Sequence, residues 1–232
     1  MIKIENTDVY GWEAAIRGMR NPMNSWHLSD TNAIDGIDIY YIGGSEIVLP
    51  SIGEADLKLM RNLAKAGSDH AKYLRMINVT VDITAPLYWW KEFDTYKVGT
   101  VANSCSTMHK IHAKEFTLDD FSHEHLTTED RFSHISGIPD GIGLFESIIN
   151  YLNIYRKAYL QYKGDTALQK RIWWQMIQLL PSSYNQKRTV QLNYQVLANM
   201  YKSRKAHKLD EWVEFCKWIE TLPYFREVIL GE

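Results

Sequence analysis

The stretch Ile77-Asn78-Val79-Thr80-Val81-Asp82-Ile83-Thr84-Ala85 decides the fold. Ile77, Val79, Val81, Ile83 and Ala85 alternate with polar residues. A period of two places those five on one face of a pleated strand, and so predicts a sheet with one side on a core. Pro86 follows at once. Its φ is preset and it has no N–H to leave unpaired, so it can open a helix, here running on through Leu87-Tyr88-Trp89-Trp90-Lys91-Glu92-Phe93-Asp94-Thr95-Tyr96. Residues 37–42 and 2–4 are two further strand candidates.

Helices carry the rest. Between Glu54 and Ala66, Leu57, Leu59, Met60 and Leu63 recur near helical spacing, and Gly67 is a suitable stop. From Leu144 to Tyr162, Phe145, Ile148, Ile149, Leu152 and Tyr155 form one apolar stripe. From Leu209 to Ile219, Leu209, Trp212, Val213, Cys216 and Ile219 point inward, with Asp210, Glu211, Glu214 and Lys217 outward. The segments 20–36, 43–53 and 133–143 are rich in Gly, Pro, Asn, Ser and Asp and read as loops. The expected class is α+β: helices packed on a small, mostly antiparallel sheet whose strands lie in the first half. No Pro-rich linker divides the chain, so 1–232 reads as a single domain.

The composition agrees with a folded globular protein. Of 232 residues, 45% are hydrophobic and 23% charged, which excludes disordered and fibrous classes. Twenty-six basic residues face 28 acidic ones, for a net charge of −2. No nucleic-acid or membrane partner is expected from that balance, although a local basic pocket remains compatible with it. Two cysteines, a polar N-terminal stretch and no apolar run near 20 residues lead us to expect a soluble, cytoplasmic protein.

Several segments have chemistry to weigh. His123-Glu124-His125 offers two imidazoles, but matches no common zinc spacing, and Thr117/Asp120 and Thr127/Asp130 read more simply as capping boxes. We expect no metal. Gly137, Gly141 and Gly143 around Pro139-Asp140 lack the Lys-Ser/Thr tail of a phosphate loop and read as a turn. Asn78-Val79-Thr80 is a sequon in name only, being part of the strand. Cys105, His109 and His112 would share one face if 100–112 were helical, making Cys105 a candidate thiolate; the ordinary alternative is a small buried residue. Lys187-Arg188, then Lys202, Arg204, Lys205, His207 and Lys208, would suit an anion or simply a solvated helix end.

The order of these features resembles the flavin-dependent thymidylate synthases. In that family a Gly-His precedes a strand, then comes an apolar-Pro-apolar-aromatic turn and a helix that delivers Arg-His-Arg-x-x-Ser and Asn-Glu-x-Ser-x-Arg-Tyr. Here Asp69-His70, the alternating strand, Ala85-Pro86 and the aromatic helix stand in that order. The signatures fall on Thr95-Tyr96-Lys97-Val98-Gly99-Thr100 and Ala102-Asn103-Ser104-Cys105-Ser106-Thr107-Met108. Lys97 keeps a positive charge, Thr100 a hydroxyl and Asn103 polarity; the other signature arginines are absent. Downstream, Leu180-Pro181 is followed twelve residues later by Asn193, then Asn199, Ser203-Arg204, His207 and Glu211, with Gln195 where the family has Arg. Ala15-Ile16-Arg17-Gly18-Met19 faintly echoes a family helix, whereas the run Gly18-Met19-Arg20-Asn21-Pro22-Met23-Asn24-Ser25-Trp26 matches no family motif.

The resemblance implies a flavin-dependent thymidylate synthase-like α+β fold, a homotetramer, FAD bound between subunits, and a pyrimidine deoxynucleotide such as dUMP as substrate. It implies Thr100 and Arg204 as catalytic residues, and His70, Asn199 and His207 as flavin contacts. Lys97, Asn103, Cys105, Asn193, Gln195 and Arg204 would be nucleotide contacts, and a reduced folate and NADPH would be co-substrates. Tyr88, Trp89, Trp90 and Tyr96 are candidates to stack on a ring or to fill the core. Two alternatives stand beside this enzyme: a homologue that binds a nucleotide or a protein without turnover, and a different enzyme using Cys105 with a histidine.

Overall fold

The computed structural model describes residues 1–32, 36–128 and 140–232. The chain forms two compact units. One contains Met1, 85–91 and 104–187; the other contains 2–84, 92–103 and 188–232.

The larger unit is built on a four-stranded sheet. Its strands are β1 (Lys3–Tyr10), β4 (Asn78–Pro86), β5 (Val101–Ser104) and β6 (Asn185–Asn193), in the order β1-β4-β6-β5. β4 behaves as its alternation predicts: Val79, Val81, Ile83 and Ala85 are buried and their polar neighbours half-buried. β1 pairs antiparallel with β4, from Lys3 opposite Thr84 to Tyr10 opposite Asn78. A bulge between Glu5 and Asp8 places Asn6 in the left-handed region (φ 52°), with its N–H on the Gly43 carbonyl at 2.8 Å.

Two sequence expectations for the strands need correction. The 43–53 segment is not all loop. β2 (Ile37–Ile42) and β3 (Ser45–Pro50) form an antiparallel hairpin, and Gly43-Gly44 is its two-residue turn. Both glycines have positive φ (56° and 77°), which a primed turn requires. Nor do all strands lie in the first half, because β6 is a nine-residue strand near the C-terminus. Only Gln186, Val190 and Leu192 on it are buried, and its polar middle hides the apolar alternation.

Helices α1 (Trp12–Arg20), α2 (Glu54–Lys65), α7 (Tyr194–Arg204) and α8 (Asp210–Glu220) belong to the larger unit, whose core includes Trp12, Met60, Tyr194, Leu197, Met200, Trp212, Phe215, Ile219 and Phe225. On α8, Trp212, Cys216 and Ile219 point inward as expected, but so do Phe215, Trp218 and Glu211, the last only 6% exposed against the outward expectation. Tyr194 buries its ring and donates its hydroxyl to the Pro223 carbonyl at 2.7 Å; burial raises its pKa well above the ordinary value.

Helix α3 (Leu87–Phe93) carries the chain from the smaller unit to the larger one between Lys91 and Glu92. Trp89 and Trp90 are buried and meet edge to face at 4.9 Å, and Trp90 Nε1 donates to the Gln186 carbonyl at 2.9 Å. These two rings fill a core and are not open to a ligand. The rest of the smaller unit has a one-turn helix, α4 (Thr107–Lys110), and two long helices, α5 (Gly141–Gln161) and α6 (Thr166–Leu179), joined by a short turn. Phe145, Ile149 and Leu152 of the predicted stripe join Ile111, Phe116, Phe121 and Met176 in one apolar cluster, with Ile148 and Tyr155 packed on its edge. Among the described residues no helix is long and apolar enough to cross a membrane.

Candidate functional site

Helix α7 organises the site. Its first turn is capped by Asn193, whose Oδ1 accepts the Val196 N–H at 3.0 Å. Segment 96–100 runs along the helix from its C-terminal end back to this cap. At one end of the segment is Tyr96, on Arg204. At the other is Gly99, with φ +77°, so close to the cap that a Cβ there would stand 2.9 Å from Asn193 Nδ2 and 3.1 Å from Val196 Cγ2. Only glycine fits that conformation and that space. Lys97 and Asn103 are exposed, whereas the Thr100 hydroxyl is buried and has no hydrogen-bond partner among the described residues.

Arg204, the residue singled out for the nucleotide, sits in a polar and aromatic cage. Its Nη1 donates to Glu92 Oε2 at 2.6 Å, and its Nε donates to the Tyr96 hydroxyl at 3.0 Å. The guanidinium lies 4.8 Å from the centre of the Trp212 ring and 5.7 Å from that of Tyr96. Glu92 Oε2 also accepts Trp212 Nε1 at 3.0 Å. His207 Nε2 is 3.4 Å from the same oxygen and 3.0 Å from Arg204 Nη1, while its Nδ1 faces the Leu209 N–H at 3.2 Å. The arginine is 19% exposed and its carboxylate partner 35%. Only the Nη2 group of Arg204 lacks a partner among the described residues. Sequence reasoning named Arg204, His207 and Tyr96 but missed Glu92 and Trp212, which close the cage from 112 residues upstream of Arg204 and from the next helix. No local pattern announces such a partnership.

The remaining predicted residues gather elsewhere. Gln195 and Arg204 stand nine residues apart on α7, roughly 14 Å at the helical rise. Gln195 lines a cavity of about 140 Å³ with Gly67, Ser68, Ala71 and Ala198. Its Nε2 reaches Asn199 Oδ1 at 3.4 Å, while its Oε1 is buried without a partner. His70 is exposed in the 67–71 turn that borders this cavity, its N–H on the Gly67 carbonyl at 3.0 Å. The structure therefore places His70 and Gln195 at one end of α7, Asn199 at its middle, and Arg204 and His207 at the other end.

Cys105 does not share a helical face with His109 and His112. It follows β5 as exposed chain, its N–H on the Lys187 carbonyl at 2.9 Å and its carbonyl accepting Gln186 Nε2 at 2.8 Å. The helix beyond it is the single turn α4, whose start is fixed after Cys105 by Ser106, which caps it by accepting the His109 N–H. His112 stacks on Tyr159, with ring centres 4.5 Å apart. Desolvation, helped by Lys110, Arg156 and Lys163, lowers its pKa. The other thiol, Cys216, is buried, and burial with the nearby Glu220 pushes it up to about 11.

Of the basic cluster, Arg188 pairs with Asp94 at 2.7 Å and Arg204 with Glu92, while Lys202, Lys205 and Lys208 are exposed. His123 turns its Nδ1 toward the Phe121 carbonyl at 2.9 Å, and no group of three or more metal-ligating side chains stands among the described residues. Asp120 accepts the Thr117 N–H at 2.9 Å, and both halves of the expected Thr117/Asp120 capping box are present. Asp130, Gly137 and Pro139 lie outside the described residues.

No protein-family model and no curated protein matches the chain. Solved structures do. Two crystal structures of thymidylate synthase X from Helicobacter pylori, both with FAD and dUMP, superpose on it with a TM-score of 0.63 at 15% identity. The likeness covers 100% and 99% of this chain and 98% of each of those chains. At that identity the likeness establishes the fold: this chain has the thymidylate synthase X fold, end to end.

Proposed function

We propose that this chain is a thymidylate synthase-like protein that binds a pyrimidine deoxynucleotide, dUMP or a close relative, and that FAD is its cofactor. The observation that carries the reading is the end-to-end fold likeness to enzymes crystallised with both molecules. The site residues add to it. Arg204 keeps an unpartnered Nη2 group for a phosphate or a pyrimidine oxygen, and exposed Lys97 supplies a second cation on the same segment as Tyr96. The buried, unpartnered Thr100 hydroxyl is a further donor.

For FAD the residues of one chain are not sufficient. The cavity beside Gln195 offers one unpartnered buried acceptor, the Gln195 amide oxygen, but its 140 Å³ is below the roughly 300 Å³ at which small-molecule sites begin. His207 has both ring nitrogens engaged at the far end of the helix. The chemistry assigned to one chain is therefore binding alone. An assembly of copies, a tetramer by the resemblance, would complete the flavin site. The edge strand β5, exposed at every residue, and the exposed Val98 favour such an assembly. A reduced folate and NADPH belong to the same reading as co-substrates.

A second reading, nucleotide binding without turnover, is favoured by one observation: the Glu92 carboxylate already neutralises Arg204. The visible absorption spectrum of the purified protein, with excess FAD and then dUMP, tests both. Bound flavin whose bands shift with dUMP supports the enzyme, and turnover assays with folate follow. Absence of bound flavin with retained dUMP affinity supports the second reading, and loss of both sinks the proposal.

A further inference from the structure

The run from Gly18 to Trp26 that matches no family motif contributes Arg20 and Trp26 to a pocket beside α1. A cavity of about 370 Å³ opens between α1 and the loop that follows it, lined among others by Glu13, Ile16, Arg17, Arg20, Trp26 and Pro50. Its volume is within the range of small-molecule sites.

The pocket is held open by its own hydrogen bonds. Arg20 is 4% exposed and donates Nε to Asp56 Oδ1 at 2.6 Å and Nη1 to the Ser25 carbonyl at 3.2 Å. Asp56, fully buried, also accepts Ser29 Oγ at 2.7 Å and the Thr31 N–H at 3.1 Å. Burial alone would raise its pKa, but these bonds from Ser29, Thr31 and Arg20 hold it below the usual carboxylate value. Asp30 accepts the N–H groups of Ala55 and Asp56 at 2.8 and 3.0 Å, which pins the loop to the start of α2. The Trp26 ring is oriented by its Nε1 bond to Asn21 Oδ1 at 2.8 Å, yet half of its surface is open.

Two groups are left over. The Nη2 of buried Arg20 and the whole guanidinium of exposed Arg17, one turn earlier on α1, have no hydrogen-bond partner among the described residues. Arg20 lines the cavity, and its Nη2 is not sealed from solvent, so both groups are available to a ligand that enters. We propose that this pocket binds a planar ring carrying one anionic group: the ring on Trp26, Ile16 and Pro50, and the anion on Arg17 and Arg20. Glu13 and Asp56 balance the two arginines in formal charge. The anion is therefore held by directed donors, in the fork geometry that arginine offers a carboxylate or a phosphate. The site is separate from the α7 residues and does not depend on the nucleotide reading.

Calorimetric titration of the full chain tests it, with AMP as the phosphate-bearing probe, indole-3-acetate as the carboxylate-bearing one, and adenosine and indole as their uncharged counterparts. One anionic probe should bind saturably and its uncharged counterpart about tenfold more weakly. Arg17→Gln and Trp26→Ala should each weaken binding about tenfold, and Glu13→Gln should tighten it. Arg17 and Trp26 are exposed enough for these variants to fold, and circular dichroism confirms that. Whichever probe binds identifies the anion. The proposal is overturned if neither binds with a Kd below about 1 mM, if binding survives both Arg17→Gln and Trp26→Ala, or if it responds to Arg204→Gln instead.

Discussion

Glu92→Gln separates what the cage around Arg204 does for stability from what it does to a ligand. Glu92 uses a single oxygen, Oε2, to accept both Arg204 Nη1 at 2.6 Å and Trp212 Nε1 at 3.0 Å. The amide oxygen of glutamine can take both bonds in the same place, so the substitution removes the charge and little else. The Arg204 bond keeps its charged donor, whereas the Trp212 bond passes from the charged class, about 1.5–3 kcal/mol, to the neutral one, about 0.5–1.5, a difference of about 1 kcal/mol. The carboxylate is 35% exposed, so solvent screening trims that figure rather than adding to it. For a chain of this length 1 kcal/mol is worth about 2–4 °C in Tm, and a fall of about 2 °C is expected. The same change leaves Arg204 with an uncompensated positive charge beside its idle Nη2. One charge-assisted bond to a phosphate then tightens dUMP roughly tenfold, with a steeper loss of affinity between low and moderate salt. Differential scanning fluorimetry and calorimetric titration of dUMP at two salt concentrations read both effects, with Arg204→Ala as the control that abolishes the gain. A lower Tm without tighter dUMP binding would show that Arg204 is a structural ion pair and not a nucleotide contact. An unchanged Tm would refute the energetics assigned to the pair.

Four further outcomes follow from single positions. Gly99→Ala meets both a positive φ and a 2.9 Å contact with Asn193, and should cost about 1–3 kcal/mol by urea denaturation; Asn193→Ala, losing the cap of α7, should cost about 1 kcal/mol. His112 has its pKa lowered by desolvation and neighbouring cations, so the folded state resists its protonation. Stability should be complete above the ordinary histidine pKa, near 6.5, and decline as pH falls from there toward the depressed folded value, and His112→Gln should flatten that part of the profile. Cys105→Ser should leave FAD and dUMP binding unchanged, since the thiol is exposed on a loop with no histidine on a shared helical face; loss of ligand binding in that variant would revive the thiolate.

The fold was legible where burial writes a pattern. Val79, Val81, Ile83 and Ala85 announce β4, and Phe145, Ile149 and Leu152 announce α5, because one face of each element is dry and the other wet. β6 is hidden because Lys187, Arg188 and Thr189 interrupt its middle; Arg188 is largely buried within the strand and pairs with Asp94, a use of arginine that looks like loop in one dimension. β3 is hidden because Ile47-Val48-Leu49 is apolar throughout although Val48 faces solvent, and because Gly43-Gly44 reads equally as loop or as a hairpin turn. The candidate site was legible only in its members. Arg204 and Tyr96 could be named from the order of motifs, but their common partner Glu92 is buried in a run of aromatics that otherwise speaks only of packing.

That partner bears on what the protein does with a nucleotide. Within the larger unit, the acidic groups of one short stretch, Glu92 and Asp94, answer two arginines of the basic cluster, Arg204 and Arg188. A cation at an anion site must shed its internal partner, or share it, before it can grip a phosphate, and the cost of breaking such a pair is subtracted from the affinity gained. Weak nucleotide binding that tightens when Glu92 is neutralised is therefore what this arrangement predicts. An enzyme that needs its arginine poised gains nothing from such a brake in every turnover. A protein that holds its nucleotide conditionally does, because any second ligand or neighbouring copy that draws Glu92 away releases Arg204. The Tyr96 and Trp212 rings would still hold the freed guanidinium in place, so the release would cost little order. The dUMP titration of Glu92→Gln decides between the two, because only an internal brake predicts that removing the arginine's own partner improves binding.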